Sequence, residues 1–256
     1  MISEKIALIS LIPMLLYILT RKRFFGSAGW IMFSIATASK AIEFVRIADY
    51  YNATVFSLAT LFFLLLAKAV FTRNSQTLVD VTAFSALACA IYFPFVFLKP
   101  LNDWIILETA KLSAMLGKAL GFPISVDGRT LELEGSYVEI ILACTAIESI
   151  SLFSGAIFGI RAELSRKIKA FMISVPVIYF INLLRNVFVL ASHSYSWFGE
   201  NSFYVAHHVI SKILAIFVLV IIALAVFRIL PELAEMIYSL KDEISKGVGI
   251  DREKRV

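Results

Sequence analysis

The chain has 256 residues, of which 60% are hydrophobic and only 17% charged, and it carries a formal net charge of +5. A water-soluble domain is nearer a quarter charged and about half apolar, so lipid must be the solvent for much of this surface. Two cysteines exclude a disulfide framework, although a single bridge between them stays open; the three histidines have no zinc-site spacing, and there is no glycine-rich phosphate loop.

The pattern predicts an all-α polytopic membrane protein. Apolar runs long enough, or nearly so, to cross a bilayer fall at about 4–20, 27–48, 53–71, 78–98, 140–160, 168–191 and 206–230. The first is followed by Thr20-Arg21-Lys22-Arg23, not by a small-residue cleavage site, and is read as a retained span. In the second, Lys40, Glu43, Arg46 and Asp49 suggest an ion-paired face, or the lining of a polar cavity. Segment 99–139 is read as an outer cap. Residues 101–120 make an amphipathic surface helix, with Trp104, Leu107, Met115 and Leu116 toward lipid, and 124–139 form a short hairpin turning at Asp127-Gly128. The transmembrane domain is expected to cover 1–230 and a charged tail 231–256. An N-terminus outside puts 15 of the 24 basic residues on the cytoplasmic side, which fixes the expected orientation, with the tail in the cytoplasm. Basic residues at span ends mark topology, and nucleic-acid binding is not expected.

With this topology three reactive side chains reach one depth near the outer face. Cys144 falls in the first turn of the fifth span, Arg185 about one and a half turns below the outer end of the sixth, and His207 in the first turn of the seventh. A thiolate is the nucleophilic form of cysteine, and a helix N-terminus with a nearby cation favours it. An imidazole can take the thiol proton and return it to a leaving amine, and a guanidinium can hold an oxyanion with planar donors. Asn182 shares the face of Arg185 and is a candidate for orienting it or the substrate. Glu148, one turn below Cys144, is a candidate partner for Arg185 or for a histidine. His208 points about 100° from His207 on a helix, so only one of the two faces the site. Each residue also has a plainer reading. A lone intramembrane cysteine, such as Cys89, is more often a small core residue. Arg185 can be snorkelling or structural, but a charge at that depth is functional by default. Ser151, Gly155 and Gly159 continue the face of Cys144 at small-xxx-small spacing and read as helix packing.

Cys144-Thr145-Ala146-Ile147-Glu148-Ser149 after a short strand resembles the cysteine motif of the exosortase and archaeosortase family. Asn182-Leu183-Leu184-Arg185-Asn186 is similar to that family's arginine motif. His207-His208-Val209-Ile210-Ser211-Lys212 is similar to its histidine motif, with Ser211 as the small residue four after His207. The likeness covers about 125–230. It departs at Ala146, where many members have glycine. The resemblance implies a membrane cysteine transpeptidase without a cofactor or catalytic metal. It would act on exported proteins ending in a sorting signal (a short motif, an apolar helix and a basic cluster). Through a thioester it would pass the new C-terminus to an acceptor, a membrane lipid in archaeal members. Its site would face the outside of the cell membrane. The competing readings are a transporter or channel, whose buried charges would line a path, and a membrane thiol acyltransferase unrelated to sorting.

Overall fold

The structure, a computed structural model, describes residues 2–248; the end of the charged tail, with Arg252, Lys254 and Arg255, lies outside the described residues. Two compact units are distinguished: Met1–Ala90 with Gly155–Ala162 and Pro231–Val256, and Ile91–Ser154 with Glu163–Leu230.

The first unit is built on α1 (Ile2–Thr20), α2 (Arg23–Arg46), α3 (Tyr50–Thr72) and most of α4 (Gln76–Phe97). Its close approaches follow from glycines. A Cβ on Gly26 would lie 2.6 Å from Val70 and 2.7 Å from Tyr17, and one on Gly29 would lie 2.7 Å from Met14. Trp30 stacks on Phe63 with ring centroids 5.4 Å apart, and its indole N–H donates to Thr82 Oγ1 at 3.1 Å. At the far end of α2, Lys40 bridges Glu4 at 3.1 Å and Glu43 at 3.0 Å. Of the ion-paired face expected there, Lys40 and Glu43 pair, and Asp49 caps α3 through the Asn52 N–H. The tail is not irregular where described: α10 (Pro231–Val248) is amphipathic, buries Leu233 and Met236, and its Glu243 pairs with Arg73 at 3.0 Å.

The second unit carries the cap. The helix α5 (Lys99–Ala119) does not simply lie on lipid. It buries Ile105, Ile106, Ala110 and Ala114 in one core with Ile124, Leu131, Leu133, Ile140, Val187 and Leu190, while Trp104 and Met115 stay exposed and Leu116 packs on that core. The expected hairpin is a three-stranded antiparallel sheet, β1 (Ser125–Asp127), β2 (Thr130–Leu133) and β3 (Ser136–Glu139), in the order β1-β2-β3. Gly128 turns the first hairpin with φ +56°, and Glu134-Gly135, both at positive φ, turn the second. Period-2 burial of Leu131 and Leu133 fixes which face meets the helices.

After the sheet come α6 (Ile147–Gly159), α7 (Leu164–Ser194), the single turn α8 (Ser202–Tyr204), a π-helical stretch (Val205–Ile210) and α9 (Ser211–Ile229). Among the described residues five helical runs are long and apolar enough to cross a membrane: α1, α3, α4, α7 and the run Gly199–Ile229. Two of the expected seven spans are not among them. The apolar stretch of α2 is diluted by small and polar residues, of which Gly26, Ser27, Gly29 and Ser34 are buried, and by the charges of Lys40 and Glu43. In the fifth, residues 140–146 go to a turn, which leaves α6 with 13 residues. The fold is all-α and polytopic, as the composition requires.

Candidate active site

Cys144 does not sit in the first turn of a helix. It ends a 3-10 turn (Leu142–Cys144), and Thr145 and Ala146 separate it from α6. Ala146 has φ +59°, a left-handed conformation that costs an L-residue roughly 1–2 kcal/mol. That is the backbone reason a glycine suits this position. The turn is held from within: Thr145 Oγ1 donates to the Leu142 carbonyl at 2.7 Å.

The turn is also held from α7. Asn182 Nδ2 donates to the Cys144 carbonyl at 2.7 Å, and Asn186 Nδ2 donates to the same oxygen at 3.2 Å and to Ser113 Oγ at 3.3 Å. Both amides are buried. One turn of α7 thus carries the two anchors of Cys144 with Arg185 between them. Asn182, the candidate for orienting Arg185 or the substrate, fixes the main chain of the cysteine. Asn186, a residue of the same motif, shares that task without having been singled out.

Arg185 Nη2 lies 3.4 Å from His207 Nε2. A guanidinium only donates, so Nε2 is the acceptor in this contact and a neutral His207 carries its proton on Nδ1. Among the described residues the buried Nδ1 atom has no hydrogen-bond partner. Phe203, one turn earlier, stacks on the imidazole with centroids 5.3 Å apart at 12° and is met edge-on by His193. These contacts set the plane of the ring. His208 is exposed and lies against Tyr204. The π-helical stretch that carries both histidines is a geometry found frequently at functional sites.

Glu148 joins neither Arg185 nor a histidine; its Oε1 accepts from the Tyr92 hydroxyl at 3.3 Å. Cys89 and Cys144 are both free thiols. Among the described residues no group of three or more His, Cys, Asp or Glu side chains is arranged to hold a metal ion.

A cavity of about 610 Å³ opens beside this arrangement. Leu142, Ala143 and Ala146, on either side of Cys144, form part of its wall, and Arg185 and Asn182 enter from α7. The rest is mainly apolar, from α7 and α9, with Glu148, Ser149 and Ser211 as further polar points. Ser211, one turn beyond His207, has a buried hydroxyl with no hydrogen-bond partner among the described residues. Chemically, the arrangement offers a cysteine anchored through its carbonyl, an always-charged donor with an imidazole in contact, and a mainly apolar cavity; the Cys144 side chain packs in the core with α5 and the sheet, and neither it nor His207 is among the residues that line the cavity.

A profile of the family described as transmembrane exosortase matches residues 3–227. The archaeosortase A of Haloferax volcanii is 26% identical over 247 residues, covering 82% of each chain. The archaeosortase A of Natronomonas pharaonis is 30% identical over 137 residues, 46% of this chain and 42% of that one. No solved structure matches.

Proposed function

Because the chain belongs to the transmembrane exosortase family, we propose that it is a membrane cysteine transpeptidase that processes the C-termini of exported proteins, with Cys144 as nucleophile. The observation that carries this reading is the contact of Arg185 with His207 on the same turn of α7 that grips the Cys144 carbonyl through Asn182 and Asn186.

The steps follow from the side chains. Arg185 leaves His207 Nε2 for the substrate carbonyl, the freed Nε2 takes the thiol proton, and the Cys144 sulfur bonds to the scissile carbonyl carbon. Arg185 donates to the oxyanion that forms. The C–N bond then breaks, the proton on His207 goes to the departing amine, and a thioester remains on Cys144. An acceptor hydroxyl or amine next attacks the thioester, the S–C bond breaks, and the proton released by the acceptor restores the thiol. A membrane lipid is the acceptor in this reading. The substrate's apolar helix lies in the trough beside α7 and α9, which places its cleavage segment at the turn of Cys144. The site faces outward, with the N-terminus outside and the C-terminus in the cytoplasm, on the side richer in basic residues.

The test is co-expression with an exported protein that ends in a short motif, an apolar helix and a basic cluster, tagged at both ends. The wild-type enzyme should remove the C-terminal tag. Cys144→Ala should leave it in place while the variant still accumulates in the membrane. Continued removal by Cys144→Ala would refute the nucleophile.

A further inference from the structure

The sheet beside Cys144 has an open edge, and the ladder shows which groups it offers. In the β2–β3 pairing Thr130 faces Glu139, Leu131 faces Val138, Glu132 faces Tyr137 and Leu133 faces Ser136. The Ile140 N–H bonds the Arg129 carbonyl at 2.9 Å, which continues the same register by one pair. Antiparallel pairs alternate between bonded and non-bonded. Ser136, Val138 and Ile140 therefore turn their main-chain groups toward β2, and Tyr137 and Glu139 turn theirs outward. The chain stays extended at Ile141, with φ −112° and ψ 172°, which brings its N–H to the same outward side; its carbonyl is used by the Cys144 N–H at 2.8 Å. Among the described residues no fourth strand covers this edge. Tyr137 and Ile141 are 62% and 51% exposed.

Edges of this kind are usually kept short or blunted by charged side chains, proline or a bulge. β3 (Ser136–Glu139) is short and carries Glu139, but no lysine, proline or bulge interrupts it. The open edge also ends three residues before Cys144, where the wall of the apolar cavity begins at Leu142 and Ala143.

We propose that the outward edge of β3, from Tyr137 to Ile141, is a docking strand on which an extended substrate segment pairs main chain to main chain just ahead of the scissile bond. The proposal rests on reading the chain as a cysteine transpeptidase. The occupant is the polar, extended stretch of the exported protein that precedes its apolar helix. A scissile peptide must be extended for its carbonyl to be open to attack, and strand addition holds it so. Main-chain bonds supply affinity, and alternate side chains supply selectivity. The apolar residues that follow then meet the trough beside the cysteine. Strand and trough thus divide one substrate between them, in the order in which its sequence presents polar and apolar residues.

The probe is a synthetic peptide covering the cleavage segment and apolar helix of the exported protein processed in the assay above, methylated at one main-chain nitrogen at a time. With the wild-type enzyme in lipid, methylation should lower kcat/KM at alternate positions ahead of the cleavage point, by roughly three- to tenfold each, and leave the intervening positions unchanged. On the enzyme side, Glu139→Pro deletes an outward N–H without touching the β2 ladder. It should lose about tenfold in kcat/KM relative to Glu139→Ala, which removes the 3.3 Å ion pair with Arg129 but keeps the N–H. A flat methylation profile with a fully processed peptide overturns the docking strand while leaving the transpeptidase reading intact. Equal activity of the two Glu139 variants does the same. If Glu139→Pro fails to accumulate, the methylation series, run on the unaltered enzyme, decides alone.

Discussion

The two ends of α6 are built by opposite means. At its C-terminal end, Gly155 and Gly159 let a neighbouring helix touch the backbone: a Cβ on either would lie 2.6 Å from Ala88 or Phe84 of α4. That end is small, apolar and unstrained. At its N-terminal end the chain enters through Ala146 at φ +59°, with the preceding carbonyl of Cys144 pinned by two buried asparagines. Strained backbone of this kind clusters at functional sites, although ordinary turns such as Glu134 adopt it too. One helix thus teaches how to separate a seam from a site. A seam removes side chains to gain contact; a site spends stability to fix one atom.

The sharpest test of this contrast is at the N-terminal end. Arg185→Lys keeps the charge and loses the planar fork, and should cut processing by about 100-fold, with the protein's amount and thermal midpoint unchanged. Near wild-type turnover would make Arg185 structural and the two ends alike. Gly155→Leu should do the reverse, costing about 3 kcal/mol or abolishing accumulation by overpacking the seam. Unfolding followed in lipid or detergent reads this directly. Asn182→Ala should fall between. It leaves Asn186 as sole anchor of the Cys144 carbonyl and costs about 1–3 kcal/mol, with a drop in kcat larger than any rise in KM. The smallest effect, and the only gain, is expected for Ala146→Gly. Relief of the positive φ, offset in part by the freer unfolded chain, should raise stability by roughly 0.5–1 kcal/mol. A loss there would mean the turn is not strained in the way its backbone suggests.

Much of this was legible in the amino-acid sequence, and the omissions have physical reasons. A charge in apolar surroundings is costly, so Arg185 stands out by type alone, while Cys144 and His207 stand out only by their motifs and shared depth. The small residues of α6 stand out by spacing. A hydrogen bond from an amide to another segment's carbonyl leaves no such trace, so the sequence does not reveal that Asn182 and Asn186 hold the Cys144 carbonyl. Charge points Glu148 toward Arg185 or a histidine, but the Tyr92 hydroxyl, from a separate helix, reaches it. The third strand is hard to tell from the hairpin because Ser136–Glu139 is short and half-exposed. The start of α6 lies seven residues later than the apolar pattern suggests, since Ile140, Ile141 and Leu142 are as apolar as any helix and only backbone angles reveal the turn.

The central claim is that Cys144 carries the substrate during turnover. Purified enzyme in lipid, mixed with its exported substrate, quenched in acid and digested, should yield the peptide containing Cys144 enlarged by the substrate's new C-terminal fragment, released by hydroxylamine. Processing that proceeds with Cys144 unmodified under the same quench, or with the adduct on Cys89, would contradict it.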